Sequence, residues 1–179
     1  MDESDPTAGK AGDAPIIRPA RAGDFESLGR ITAARYGGEP GAHAAALERF
    51  PAGAGEGRSL LLAAEIDGMA VGFGKCRYFA RDADAPPDTG PEGWYLAGVV
   101  IDERYRRRGI GRRLTTARLE WIAARADAAY YFTNARNAAS IALHREFGFE
   151  EITRRFTLPH ATFEGGEGIL FGVRFAPRG

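Results

Sequence analysis

Six arginines fall within residues 104–113: Arg104, Arg106, Arg107, Arg108, Arg112 and Arg113. Gly109 and Gly111 are set among them, in the run Arg106-Arg107-Arg108-Gly109-Ile110-Gly111-Arg112. The apolar run Val99-Val100-Ile101 comes shortly before, and Ile110, Leu114, Ala117 and Trp121 recur after it at helical spacing, with Leu119 and Ile122 widening the stripe. The chemistry open to a strand, a Gly-rich turn and a helix in that order is the binding of a phosphorylated anion. The first amides of a helix have no intrahelical partner, and the helix dipole places partial positive charge there. Phosphate binds at such an end. Glycines, lacking a Cβ, let it approach the backbone closely, and arginines add attraction and direct contacts. The competing reading is an Arg-rich helix start that meets only solvent. The buried strand before it and the amphipathic helix after it favour the phosphate site.

Groups that could move protons lie elsewhere. Asn137, Ser140 and His144 share one stripe of a predicted helix, since spacings of three, four and seven fall on one face. Ala139, Leu143 and Phe147 form the neighbouring stripe, expected to face the core. His144 could donate a proton or hold a water, or simply pack, and both readings stay open. Glu92, just before an apolar strand, is a candidate general base, set against the stronger reading of a solvated loop carboxylate. Tyr95, on that strand, reads as core. Cys76, the single cysteine, has no His or Asp nearby in sequence and reads as an inert buried thiol. Three scattered histidines and one cysteine make no recognisable metal set.

These residues need elements to hold them. The chain has 179 residues, enough for one domain with a sizeable core. Residues 1–14 are polar and charged and read as a disordered leader, with the domain over residues 15–176. Strands are expected at Ile16-Ile17-Arg18 and over residues 59–66, 69–79, 94–101, 130–133, 151–158 and 168–175, with Asp67-Gly68 as a hairpin turn. Helices are expected after Asp24, read as an N-cap, over residues 43–50 and 109–126, and from Asn137 to Phe147. Residues 51–57, 81–93 and 159–167 read as loops. The order predicts a single α/β domain with a mixed sheet.

Composition removes other classes. Lys plus Arg number 24 and Asp plus Glu 24, so the formal net charge is +0, opposing a protein that coats nucleic acid. No apolar run approaches the ~20 residues of a membrane span, and no apolar signal segment opens the chain. A cytoplasmic protein is the expectation. There is no P-loop run and no Rossmann glycine fingerprint.

The segment Arg106-Arg107-Arg108-Gly109-Ile110-Gly111 resembles motif A of the GNAT acyltransferase superfamily, Gln/Arg-x-x-Gly-x-Gly/Ala, matching at Arg106, Gly109 and Gly111. Residues 137–149, ending in Gly148-Phe149, resemble motif B, and Ile16-Ile17-Arg18-Pro19-Ala20 with Asp24 is similar to the family's first strand and helix start. The resemblance covers about residues 16–175. It implies a GNAT fold, a mostly antiparallel mixed sheet flanked by helices in which two central parallel strands splay apart. It implies acetyl-CoA as cosubstrate, its diphosphate on the amides of Arg107, Arg108, Gly109, Ile110, Gly111 and Arg112. Its pantetheine arm would lie in the splay against Val99, Val100 and Ile101, with Asn137 and Ser140 beside it. The activity implied is N-acetylation of a primary amine by direct attack through a tetrahedral intermediate, with an oxyanion donor near Val99.

Motif B of the family usually carries a Tyr as acid where this chain has His144; some members acting on small amino-acid-like amines share the Leu-His pair. A small-molecule amine is therefore the expected acceptor, with a protein N-acetyltransferase or a non-catalytic acyl-CoA sensor as alternatives. Dimers are frequent in the family, so a homodimer is also open.

Overall fold

The computed structural model describes residues 14–50, 57–159, 161, 163 and 166–176. The leader expected over residues 1–14 and most of the 51–57 loop lie outside the described residues. The strands are β1 (Ile16–Pro19), β2 (Ser59–Ile66), β3 (Met69–Phe79), β4 (Gly93–Ile101), β5 (Ala128–Asn134), β6 (Glu150–Thr153) and β7 (Gly168–Arg174). The helices are α1 (Phe25–Tyr36), α2 (Pro40–Arg49), α3 (Ile110–Ala123) and α4 (Ala138–Arg145). One seven-stranded sheet runs β1-β2-β3-β4-β5-β7-β6, in which only β4 and β5 are parallel neighbours. The expected element order and mixed α/β class are those observed.

Helices cover both faces of the sheet, so its central strands are apolar on both sides. Leu61, Ala63, Phe73 and Val100 pack with Leu28 of α1 and Leu47 of α2. On the opposite face, Leu62, Ala64, Ile66 and Val71 meet Ile110 and Leu114 of α3. A third cluster on that face joins Cys76, Trp94 and Leu96 to Leu119, Ile122, Tyr131 and Phe171. At the β1 edge, Arg18 donates to Glu65 at 2.6 Å and to both Asp24 oxygens at 2.7 and 2.8 Å.

Several local expectations are corrected by tertiary contacts. Asp24 is the N-cap residue of α1, but its side chain makes no cap bond; its buried carboxylate accepts from Arg18 and from the Arg21 amide at 2.7 Å. Helix α2 starts at Pro40 rather than His43, because a proline is preorganised for the first helical position. Strand β6 stops at Thr153: the Thr153 hydroxyl takes the Arg155 amide at 3.0 Å, and Arg154 turns outward to Glu151 and Glu167. Helix α4 buries His144, while Ala139 is exposed and Leu143 and Phe147 are half-buried.

Candidate active site

Strand β4 leads directly into the Gly-rich turn. Asp102 accepts from the Arg104 amide at 3.0 Å and opens a short 3-10 turn over Glu103–Tyr105. Beyond it the backbone enters the left-handed region twice, at Arg107 (φ 60°) and Gly109 (φ 75°). Gly109 stands just before α3, and the first helical bond runs from the Arg113 amide to its carbonyl at 3.1 Å. Among the described residues, the amides of Arg107, Arg108 and Gly109 donate to no other backbone group. Those of Ile110, Gly111 and Arg112 belong to the open first turn of the helix. Six consecutive N–H groups therefore wrap one concave turn, a backbone nest suited to a phosphate.

The arginines here are largely committed to the protein. Arg104 pairs with Asp102 at 2.6 Å, Arg106 donates to the Ile101 carbonyl at 3.3 Å, and Arg108 lies over the Tyr105 ring at 5.2 Å. Arg112 pairs with Glu146, tying the start of α3 to the end of α4.

Strands β4 and β5 pair only at Trp94↔Ala129 and Tyr95↔Tyr130. Past that point the facing edge of β4, which includes Val99, Val100 and Ile101, has no neighbouring strand among the described residues. An open edge offers main-chain donors and acceptors to anything that can lie along it as a strand. The nest sits at the far end of this opening.

Opposite Lys75, β4 carries a bulge. Gly74 faces Val99, but Cys76 faces Leu96, so Ala97 and Gly98 share one partner position. Gly98 takes φ 95°, open to a residue without a side chain. The extra residue flips the alternation of β4. Trp94 and Leu96 face α3 before the bulge, whereas Val99 and Ile101 face it afterwards.

Under the bulge lies Arg118 of α3, 0% exposed. Its guanidinium donates to the carbonyls of Leu114 (3.1 Å), Lys75 (3.2 Å) and Gly98 (3.4 Å) and to the Thr115 hydroxyl (3.0 Å). Among the described residues, no carboxylate pairs with it. Burial lowers its pKa to about 10, still far enough above neutrality to keep the cation. A Cβ on Gly74 would stand 3.0 Å from Arg118 Nε, so that glycine makes room for the side chain. Periodicity marks position 118 as part of the buried face of α3, but reading only apolar types along the helix passes over an arginine there.

On α4, the Asn137 side chain accepts from the Ser140 amide at 3.2 Å, capping the helix. His144 is 6% exposed and stacks on Tyr131 with ring centroids 3.8 Å apart. Its Nδ1 lies 2.8 Å from the Ser140 carbonyl. A carbonyl only accepts, so Nδ1 carries the proton and Nε2 keeps a lone pair. Burial pushes the pKa of His144 down to about 4, and the charge of Arg118 acts in the same direction. The imidazole is therefore neutral near pH 7. The Tyr131 hydroxyl is buried without a hydrogen-bond partner among the described residues.

The other face of β4 opens into two adjoining cavities. One of about 290 Å³ is lined by Phe50, Lys75, Arg77, Tyr95, Ala97 and Phe132, among others. A second of about 160 Å³ shares Phe50, Lys75 and Ala97 and reaches Gly98 at the bulge. Glu92 lines neither. Its carboxylate accepts from the Tyr78 hydroxyl at 2.6 Å and from the Arg81 amide at 3.3 Å, and the Tyr78 bond holds its pKa below the usual carboxylate range.

The profile of the acetyltransferase (GNAT) family matches residues 25–149. Among solved structures, the fold is similar to the ribosomal-protein-S18-alanine N-acetyltransferase of Escherichia coli, at 22% identity and TM-score 0.65, over 93% of this chain and 97% of that one. It is similar to the ribosomal-protein-alanine N-acetyltransferase of Brucella melitensis, at 24% identity and TM-score 0.65, over 89% and 99% of the two chains. It also resembles an acetyltransferase structure from Salmonella typhimurium containing acetyl-CoA, at 20% identity and TM-score 0.64, over 93% and 96%. No protein in the curated comparison matches the sequence. With the family profile covering more than two thirds of its length, the chain belongs to the GNAT acetyltransferase family and is an acyltransferase.

Proposed function

We propose that the protein transfers an acetyl group from acetyl-CoA to a primary amine of a small molecule, by direct attack through a tetrahedral intermediate. The observation that carries this reading is the continuous run from the unpaired edge of β4 into the unpartnered amides of residues 107–112. The amides of Arg107, Arg108, Gly109, Ile110, Gly111 and Arg112 would hold the diphosphate, with Arg106 bracing the turn through the Ile101 carbonyl. Val99, Val100 and Ile101 would pair with the amide-bearing arm along the open edge. Asn137 and Ser140, at the start of α4, would stand beside that arm. Bound acetyl-CoA supplies an activated thioester.

The amine enters from the cavity side and meets the thioester at the bulge. There the β4 backbone near Val99 faces the oxygen on which negative charge develops, and Arg118 contributes a fixed buried cation behind it. The ammonium must lose a proton before attack, and water in the cavity is its acceptor in this reading; as the C–N bond forms and the C–S bond breaks, the nitrogen gives up a second proton to water and the departing CoA thiolate takes one from water. Glu92 pins the 81–93 loop through Tyr78 and Arg81. His144, neutral and stacked on Tyr131, shapes the wall of the splay. The cavity of about 290 Å³ lined by Phe50, Tyr95 and Phe132 is of a size that a small acceptor fills.

Release of CoA over a panel of amines, with acetyl-CoA binding measured in parallel, tests the proposal. Binding together with turnover of at least one amine supports it. Tight binding with no turnover on any amine would assign the chain to a sensor role instead.

A further inference from the structure

We propose that the acceptor carries an anionic group of the carboxylate class beside its amine, and that Lys75 and Arg77 hold it. This rests on the transferase reading above and names the substrate class of that site.

Lys75 and Arg77 are two apart on β3 and so project to the same face of the sheet. That face carries the two cavities, and Lys75 lines both. The two cations converge on one aromatic ring, the Lys75 ammonium 5.1 Å and the Arg77 guanidinium 5.0 Å from the centre of Phe50. A ring face attracts a cation but does not neutralise it. Among the described residues, neither side chain forms an ion pair. The other ring neighbours in the larger cavity, Phe79, Tyr95 and Phe132, bring no negative charge at neutral pH. Two like charges thus lie against one ring, one of them largely withdrawn from water, with no anion between them among the described residues. Burial and then the charge of Arg77 lower the Lys75 pKa, the penalty that a bound anion would relieve.

Position supplies the rest. Lys75 lies opposite the bulge at Ala97 and Gly98. An anion on Lys75 and Arg77 would therefore leave the amine of the same molecule beside the point where the thioester is attacked. Two cations with no described counter-ion repel a bare ammonium; an anionic group on the same molecule offsets that repulsion and orients the amine. A neutral or purely cationic amine gains neither effect.

The test uses the full chain and matched pairs of probes: free amino acids, and the same amino acids with the carboxylate converted to an amide. CoA release is measured for each pair, and calorimetry reads probe binding in the presence of CoA. The carboxylate member is expected to have a kcat/KM higher by about ten-fold or more, the worth of one hydrogen bond to a charged group. Lys75→Met, which keeps the apolar stem, and the exposed Arg77→Gln should each shrink that preference, and the double variant should bring it to about two-fold. Acetyl-CoA affinity should not move in any of them. Equal or better turnover of the amides would overturn the proposal, as would a double variant that keeps the preference. If no amine is acetylated but carboxylates bind in a Lys75-dependent way, the anion site stands and the transferase reading falls. If carboxylates do not bind either, the anion site falls as well.

Discussion

On one side of the β4 bulge, Arg118 is 0% exposed and donates to three main-chain carbonyls and a hydroxyl. On the other side, Lys75 sits opposite the same bulge with only the Phe50 ring as a described side-chain partner. The first cation makes four hydrogen bonds to the protein and is built into the fold. The second is half-buried and has no anion among the described residues. A buried charge that the backbone satisfies fixes geometry, here the path of β4 where the chain would meet the thioester. A charge left without its counterpart costs free energy until a ligand arrives, which makes it a recognition element.

The largest test of this contrast is Arg118→Ala. It empties a fully buried site and strands the Lys75 and Gly98 carbonyls, so urea unfolding should show a loss of about 3–5 kcal/mol. Arg118→Met, which restores volume but not the donors, should recover part of that loss. A change below about 1 kcal/mol in Arg118→Ala would break the contrast, because the cation would then not be structural.

His144, beside Arg118, gives the next effect through pH. Its folded pKa of about 4 lies below the ordinary 6.5, so the unfolded chain binds more protons between those values. The stabilisation is full above pH 6.5 and is lost as pH falls toward 4, by about 3 kcal/mol at most. His144→Phe should flatten that acid limb in a series of unfolding curves. Turnover that survives in His144→Phe at all pH values would confine the residue to packing; its loss would restore a proton-transfer role.

Gly109→Ala acts on the nest. A side chain at φ 75° is strained by about 1–2 kcal/mol. Acetyl-CoA affinity should fall about ten-fold as the amides lose their alignment. Arg107→Ala, which leaves those amides in place, should weaken binding less. Equal losses in both would shift weight from backbone to side chain.

The smallest expected effect is at Cys76, on the buried Arg118 side. Burial pushes its thiol pKa up to about 12, and the opposing charge of Arg118 does not cancel that. Thiol-reactive dyes should leave it unmodified in the native protein and label it on unfolding; rapid native labelling would show that this face opens.

How much of this was legible beforehand follows from how far apart the contributing residues lie. Strands β2 and β3 appear where two apolar runs and the Asp67-Gly68 turn between them place them. The nest was readable because its glycines, the buried strand before it and the helix after it are contiguous. Asp24 keeps the N-cap position that its residue type predicts, but Arg18 and the Arg21 amide take its carboxylate from the helix. Arg118 was passed over because an arginine in an apolar stripe is explicable only once the carbonyls of residues 75 and 98 are seen to converge on it.

The sequence by itself determined the class of fold, the family resemblance and the helix-start nest, since each depends on local backbone preference and short-range periodicity. Only the tertiary structure decided the bulge, the burial of Arg118 and His144, and the cationic cavity. Those arise where strand register and helix packing bring Phe50, Lys75, Ala97 and Phe132 together across the sheet. No local pattern encodes that meeting, because antiparallel register is set by the burial of whole faces and not by any one of the residues it aligns.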